Sequence, residues 1–167
     1  MTISADDGHA MWAFAEHEHR DLARGINRIH DVACLVGHIA TPELSARVLD
    51  VLYWLEGTLG PHMAWEDGWL FPEIDARTGT PSTTRAARFE HRQIREVTAR
   101  LRADHERLDR RGAPGDKKAE TRSDLVRLEA LIRAHLEREE RSLIPMLEDG
   151  HGPFHAAGTS STGRVRD

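Results

Sequence analysis

Histidine and glutamate recur in this sequence at spacings that suit metal binding. The chain contains 11 histidines in 167 residues, more than packing alone needs. Two of them begin the pattern His-x-x-x-Glu, as His62 with Glu66 and His135 with Glu139. Residues four apart lie on one face of a helix, about one turn from each other. Each pair is therefore expected to present an imidazole and a carboxylate toward the same space.

The two pairs belong to an internal repeat. The segment HMAWEDGWLFP, residues 62–72, aligns with HLEREERSLIP, residues 135–145, at an offset of 73 residues. A shorter match at an offset of 72 residues aligns Glu18-His19 with Glu90-His91. Both halves of the chain therefore follow one plan. A helix with one histidine precedes a helix with His-x-x-x-Glu, an apolar pair and a proline that is expected to end or bend the helix.

Four amphipathic segments are predicted to position these residues. Apolar side chains recur every three or four positions in each segment, as they do on the buried face of a helix. The segments span about residues 9–37, 41–75, 83–108 and 116–150. Clusters of Gly, Pro, Ser and Thr at 78–82 and 112–115 separate the later ones, and Thr41 is the expected N-cap of the second helix. Short connections favour antiparallel neighbours. The predicted fold is all-α, an up-down-up-down antiparallel four-helix bundle with a di-metal site in its core.

Composition is typical of one helical domain. Apolar residues make up 39% and charged residues 31% of the chain, which suits amphipathic helices. The bundle is predicted to span residues 1–150. Residues 151–167 carry no apolar stripe and are predicted to form a disordered C-terminal tail. Cys34, the single cysteine, excludes an internal disulfide and is expected to be a buried helix residue.

Charge and hydropathy exclude several partners. A net charge of -5 and a pI near 6.1 give no general attraction to nucleic acid. Nothing near Met1 has the pattern of a signal peptide, and no apolar run approaches the roughly 20 residues that cross a bilayer. The sequence therefore predicts a cytoplasmic protein that contacts neither nucleic acid nor membrane. Four helices close a core without a partner, so a monomer is expected.

The histidines and glutamates of the repeat form one candidate ligand set. The predicted metal ligands are His19, His62, Glu66, His91, His135 and Glu139. Four imidazoles and two carboxylates are too many for one tetrahedral zinc ion, but they suit two ions bridged by carboxylates. By ligand softness, a set without thiolate fits iron, manganese or zinc. Two iron ions linked by an oxo or hydroxo bridge are the favoured occupants.

These motifs resemble the hemerythrin family, in its broader form of the His-His-Glu cation-binding domain. The resemblance covers about residues 16–148. Its carriers are Glu18-His19-x-x-Leu22, His62-x-x-x-Glu66 with Leu70-Phe71-Pro72, Glu90-His91-x-x-Ile94, and His135-x-x-x-Glu139 with Leu143-Ile144-Pro145. It implies a non-haem di-iron centre that meets dioxygen or hydrogen peroxide. In that reading Glu66 and Glu139 are the bridges and the four histidines are terminal ligands.

One position departs from the family pattern. Oxygen-carrying hemerythrins have a further histidine on the third helix, one turn after the first, and here that position is Arg95. Exchangeable positions on the metals favour peroxide breakdown, sensing or oxidation over reversible oxygen carriage. Arg95 is expected to pair with an acid at the bundle surface. Tyr53 is expected on the helix face opposite His62, and a role for it as an extra ligand stays open.

Three functions remain open from the sequence. The leading interpretation is a di-iron protein that binds dioxygen or hydrogen peroxide, including one that decomposes peroxide as a catalase does. The second is a sensor of oxygen, redox state or iron that acts through a partner protein. The third is a helical interaction protein that binds a divalent metal without redox chemistry. Metal content and the absorption spectrum separate them.

Overall fold

The described part of the chain is almost entirely helical. The structure, a computed structural model, describes the backbone of residues 5–108 and 115–148, and side chains at His19, 21–108 and 117–147. Within these ranges it contains no strand, so the predicted all-α fold is confirmed. The predicted tail, residues 151–167, lies outside the described residues. None of the described helices is both long enough and apolar enough to cross a membrane.

Four helices follow one another along the described ranges. The first is Ala5–Leu35 and the third is Arg85–Leu108. The second is a rod of three α-helical pieces joined by two π-helical turns, in the order Thr41–Trp54, Leu55–Leu59 (π), Gly60–Trp65, Glu66–Leu70 (π) and Phe71–Thr78. The fourth comprises Gly115–Arg138, the π-helical turn Glu139–Leu143 and the short α-helix Pro145–Glu148. The first and third helices each pack against the second and the fourth, which closes the bundle.

Glycine and proline set the boundaries of the second helix. Gly79, with φ of 69°, adopts the left-handed conformation that commonly ends a helix. Pro42 lies in the first turn, where its missing N–H needs no partner. The structure places the N-cap at Ala40, so the predicted N-cap at Thr41 is one residue too late.

A proline follows each π-helical turn by two residues. The three prolines are Pro61, Pro72 and Pro145. A proline inside a helix removes one hydrogen bond, and its ring clashes with the carbonyl four residues earlier. That carbonyl lies within the widened turn in each case, and the N–H after the turn bonds five residues back, as from Ile144 to Glu139 at 2.9 Å. The helices therefore continue through Pro72 and Pro145 instead of ending there.

The core consists of two apolar clusters. The larger runs along all four helices and includes the fully buried Ile29, Leu44, Leu101 and Leu128. The smaller surrounds Phe71 and is flanked by Trp65 and Trp69. On the second, third and fourth helices, the predicted metal ligands fall in sequence between residues of the two clusters. A polar layer is therefore enclosed by apolar packing on both sides.

Cys34 corrects one expectation. Its side chain is exposed, whereas the sequence predicted a buried residue. The preceding residues Val32 and Ala33 are buried, and the next helix position turns about 100° away from them. Cys34 therefore faces solvent, with its Sγ 3.6 Å from Nε2 of His30.

Candidate metal centre

Six buried side chains converge in the polar layer. They are the predicted ligands, His19, His62, Glu66, His91, His135 and Glu139, each at most 6% exposed. Each of the four helices contributes at least one of them. The structure therefore brings together all six residues that the repeat singled out.

The six side chains form two overlapping quartets. One quartet is His19, His62, Glu66 and Glu139; the other is Glu66, His91, His135 and Glu139. Within each quartet the ligand atoms all lie within 4.8 Å of one another. Glu66 and Glu139 belong to both. Two histidines at each of two positions, joined by two shared carboxylates, are a donor set that could hold two neighbouring ions.

Glu66 directs its two oxygens toward different quartets. Its Oε1 lies 2.8 Å from Nε2 of His62, whereas its Oε2 lies 3.1 Å from Nε2 of His91. A carboxylate in this orientation offers one oxygen to each of two ions.

Glu139 repeats this orientation from the fourth helix. Its Oε2 lies 3.5 Å from Nε2 of His19, and its Oε1 lies 3.6 Å from Nε2 of His135. The internal repeat seen in the sequence therefore also holds in the side-chain geometry.

The carboxylates of Glu66 and Glu139 fit metal ions better than they fit the protein alone. All four of their oxygens are buried and accept no hydrogen bond from the described residues, although imidazole nitrogens are close. Nε2 of His91 and Nε2 of His135 also face each other at 3.0 Å. Burying a carboxylate that accepts no hydrogen bond costs free energy. Cations placed between these atoms would remove that cost.

The electrostatics of the cluster reflect its buried negative charge. Burial and the charge of Glu66 raise the pKa of Glu139. Burial alone would raise the pKa of Glu66, but the imidazoles of His135, His62 and His91 hold it well below its ordinary value. Burial opposes the charge on His135, yet Glu139, Glu66 and Glu90 raise its pKa to about 10. Metal ions that enter the cluster must therefore displace protons.

Behind the rings of His19, His91 and His135 lies a second carboxylate. In each case Nδ1 faces the carboxylate, which leaves Nε2 directed into the cluster. The pairs are His91 with Asp67 at 3.0 Å, His19 with Glu140 at 3.2 Å, and His135 with Glu90 at 3.4 Å. The roles of these three acids were not predicted. The repeat carried a signal, because Asp67 and Glu140 each follow a shared glutamate directly.

Arg95 and Tyr53 lie where the sequence analysis predicted them. Arg95 donates a hydrogen bond of 2.6 Å to Oδ2 of Asp67, so it pairs with an acid near the surface as expected. Tyr53 is 66% exposed and lies outside the cluster. Neither side chain belongs to the two quartets.

The fold and site define a class of protein, namely a helical bundle with a buried histidine and carboxylate metal site. A comparison with known families identifies it further. The hemerythrin HHE cation-binding domain matches residues 11–147, which include all six converging side chains. The chain belongs to this family. No curated protein and no solved structure matches it.

Proposed function

We propose that the six side chains bind two iron ions, linked by an oxo or hydroxo bridge, and that this centre binds and decomposes hydrogen peroxide. The observation that carries the proposal is the pair of quartets that share Glu66 and Glu139. A single ion would contact only one of the two histidine pairs. Two ions use all the buried donor atoms.

The donor types support iron. Imidazole and carboxylate without thiolate suit first-row metals of intermediate softness. The only cysteine is exposed on the surface and lies outside both quartets. When bound, a pair of iron ions supplies the two-electron redox change that peroxide decomposition requires.

The burial of the cluster supports a small substrate. His91, His135 and both glutamates are completely buried. The ring of Phe71 lies 5.2 Å from that of His91, and Trp65 stacks on Trp69 at 5.4 Å. A large organic substrate would have no contact with the ligands. Hydrogen peroxide and dioxygen are small and neutral, so they can cross such packing during brief openings of the bundle.

Each quartet also leaves room for a further ligand. Two imidazole nitrogens and one oxygen from each glutamate give four protein donors, fewer than the six that octahedral iron takes. Arg95, which stands where oxygen carriers have a further histidine, is engaged by Asp67. The protein thus leaves positions that solvent or peroxide can occupy.

A sensor function is the second candidate, and one observation favours it. Because the buried oxygens of Glu66 and Glu139 lack hydrogen bonds from the described residues, metal binding should stabilise the bundle strongly. A change in metal occupancy or oxidation state would then change the stability of the bundle, and with it a surface that a partner protein could recognise.

The test is an absorption spectrum and an iron assay on aerobically purified protein, followed by addition of hydrogen peroxide under an oxygen electrode. The proposal expects about two iron ions per chain, an oxo-bridge charge-transfer band and evolved oxygen. His62→Gln should abolish turnover, whereas His30→Gln, at an exposed histidine, should not.

Each other result favours a different function. The same spectrum without oxygen evolution would support dioxygen binding or sensing. Colourless protein that carries zinc would support the interaction protein, and protein that binds no metal would overturn the proposal.

A further inference from the structure

The π-helical turn that carries Glu66 leaves one backbone carbonyl without its usual helical donor. In this turn the N–H of Phe71 bonds to the carbonyl of Glu66. A helical carbonyl normally accepts from the N–H four residues later, or five residues later in a π-helix. For the carbonyl of Asp67 these residues are Phe71, whose N–H is engaged, and Pro72, which has no N–H. This carbonyl therefore needs a donor from outside its own helix.

Arg88, on the third helix, supplies that donor. Its Nη1 donates a hydrogen bond of 3.3 Å to the carbonyl oxygen of Asp67 and lies 4.0 Å from Oδ1 of the same residue. That Oδ1 also faces Nδ1 of His91 at 3.0 Å. One guanidinium therefore reaches both the backbone of the turn that carries Glu66 and the carboxylate behind His91.

The guanidinium of Arg88 is itself fixed by further contacts. Its Nε donates to the hydroxyl of Thr84 at 3.1 Å, and its Nη2 donates to Oδ2 of Asp75 at 3.3 Å. Thr84 is completely buried, and its backbone N–H and hydroxyl donate to the same carboxylate. The guanidinium also lies 5.2 Å from the centre of the Phe71 ring, which lies 5.2 Å from the ring of His91. These contacts join the second helix, the start of the third helix and the ring of a predicted ligand.

We propose that Arg88 is a positioning residue of the metal centre. It holds the π-helical turn in the rotation that directs Glu66 toward both quartets and the carboxylate of Asp67 toward His91. Without this donor the carbonyl of Asp67 must bond to water, and the turn loses the contact that fixes it against the third helix. The proposal rests on the metal centre proposed above. It adds a residue that lies outside both quartets and acts on them through the turn.

The direction of the effect separates positioning from simple charge. Two cations repel, so removal of the positive charge of Arg88 would by electrostatics alone strengthen the binding of metal ions nearby. Loss of positioning weakens binding, because groups that orient a ligand from behind affect metal affinity by about 10-fold to 100-fold. Arg88→Gln therefore gives opposite results under the two explanations. Arg88→Lys keeps the charge but loses the planar fork that reaches three acceptors at once.

Metal titration of the full-length, metal-free chain tests the proposal. Co²⁺ is added anaerobically and followed by calorimetry and by its visible absorption, which depends on ligand geometry. Arg88→Gln should weaken Co²⁺ binding about 10-fold or more and change the visible spectrum, and Arg88→Lys should lose less affinity than Arg88→Gln. Hydrogen exchange of the metal-free chain is a second readout. The amides of residues 66–71 should exchange faster in Arg88→Gln than in the wild-type chain.

Arg77 provides a matched control. It also donates to a backbone carbonyl of another helix, that of Leu147 at 2.8 Å, and its side chain is 28% exposed, against 31% for Arg88. Arg77 pairs with Glu73 and lies outside the turn that carries Glu66. Arg77→Gln should lower the melting temperature of the metal-free chain about as much as Arg88→Gln does. It should change Co²⁺ affinity less than about 2-fold, since it supports no ligand.

The remaining outcomes separate this proposal from the metal centre. Unchanged or tighter Co²⁺ binding in Arg88→Gln, or equal losses in Arg88→Gln and Arg77→Gln, would overturn the positioning role and leave the centre intact. Should Arg88→Gln fail to fold, Arg88→Lys decides the question, and wild-type affinity in that variant would overturn the proposal. A wild-type chain that binds no Co²⁺ would overturn the metal centre itself.

Discussion

The two halves of this chain share their ligand positions and differ in the residues around them. The first quartet draws both of its histidines from the first half, and the second quartet draws both from the second half. In the second half, Arg95 contacts Asp67 and Arg138 contacts Glu90, whereas the repeat places Ala23 and Trp65 at those two positions in the first half. A repeat can therefore preserve a metal-binding plan while its surroundings diverge. The same types of donor atom therefore have different neighbours in the two halves of the sequence.

The largest expected effect comes from removing a shared carboxylate. Glu66→Gln and Glu139→Gln should each lose both metal ions, because each glutamate serves both quartets. His62→Gln should retain one ion. Metal content after chelation and reloading distinguishes these cases. If either glutamine variant kept one full ion, the two positions would be independent and the glutamates would not be bridges.

Glu139→Gln should affect the metal-free bundle in the opposite direction. Glu139 is a buried carboxylate without a hydrogen bond from the described residues, so a neutral amide should stabilise the metal-free protein by about 1–3 kcal/mol. Urea unfolding of the metal-free forms measures this. A decrease in stability would show that Glu139 stabilises the fold without metal.

A smaller effect should separate the two outer acids. Asp67→Asn keeps the shape of the side chain but weakens its contact with His91 and Arg95, and should lower the affinity of one position about 10-fold or more. Glu140→Gln, at the exposed acid behind His19, should change affinity by less than about 3-fold. Competition with a chelator of known affinity measures both. Equal losses would show that the exposed Glu140 orients His19 as firmly as Asp67 orients His91.

The smallest effect concerns a buried acid outside the metal centre. Burial and the charge of Asp124 raise the pKa of Asp104, which also pairs with Arg107 at 3.0 Å. The pKa in the folded state is above that in the unfolded state, so the folded state prefers protonated Asp104. Its stabilising contribution is present at low pH and is lost as pH rises through the folded-state value.

Asp104→Asn should therefore raise the melting temperature near pH 7 by about 2–4 °C, equivalent to about 1 kcal/mol. The gain should shrink toward pH 4 and should be the same with and without metal. Thermal melts at a series of pH values test this. A gain that appeared only in the metal-loaded protein would tie Asp104 to the metal centre and contradict its assignment to the fold.

The helices and the six ligands could be predicted because both depend on local spacing. A separation of four residues fixes which side chains share a helix face, and the repeat indicated that the faces meet. The approach of Asp67 to His91 depends instead on the rotation of the second helix against the third. Sequence periodicity does not specify that rotation, so the contact was not predicted.

The π-helical turns account for another part of what was missed. The sequence predictions rest on a regular helix of 3.6 residues per turn. The π-helical turns that begin at Glu66 and Glu139 each contain an extra residue. The following residues are rotated relative to that assumption. Proline two residues after each turn was visible in the sequence and was expected to end or bend the helix, but the π-helical turn before it was not expected. The wrong prediction for Cys34 has a similar cause, because a shift of one helix position determines whether a side chain faces the core or the solvent.

The most direct test of the central claim is a crystal structure of the iron-loaded protein with anomalous scattering measured at the iron edge. The two overlapping quartets predict two anomalous peaks about 3–4 Å apart, the separation typical of paired metal ions. Each peak should contact two histidines, and Glu66 and Glu139 should contact both. A single peak, or two peaks that share neither glutamate, would contradict the account.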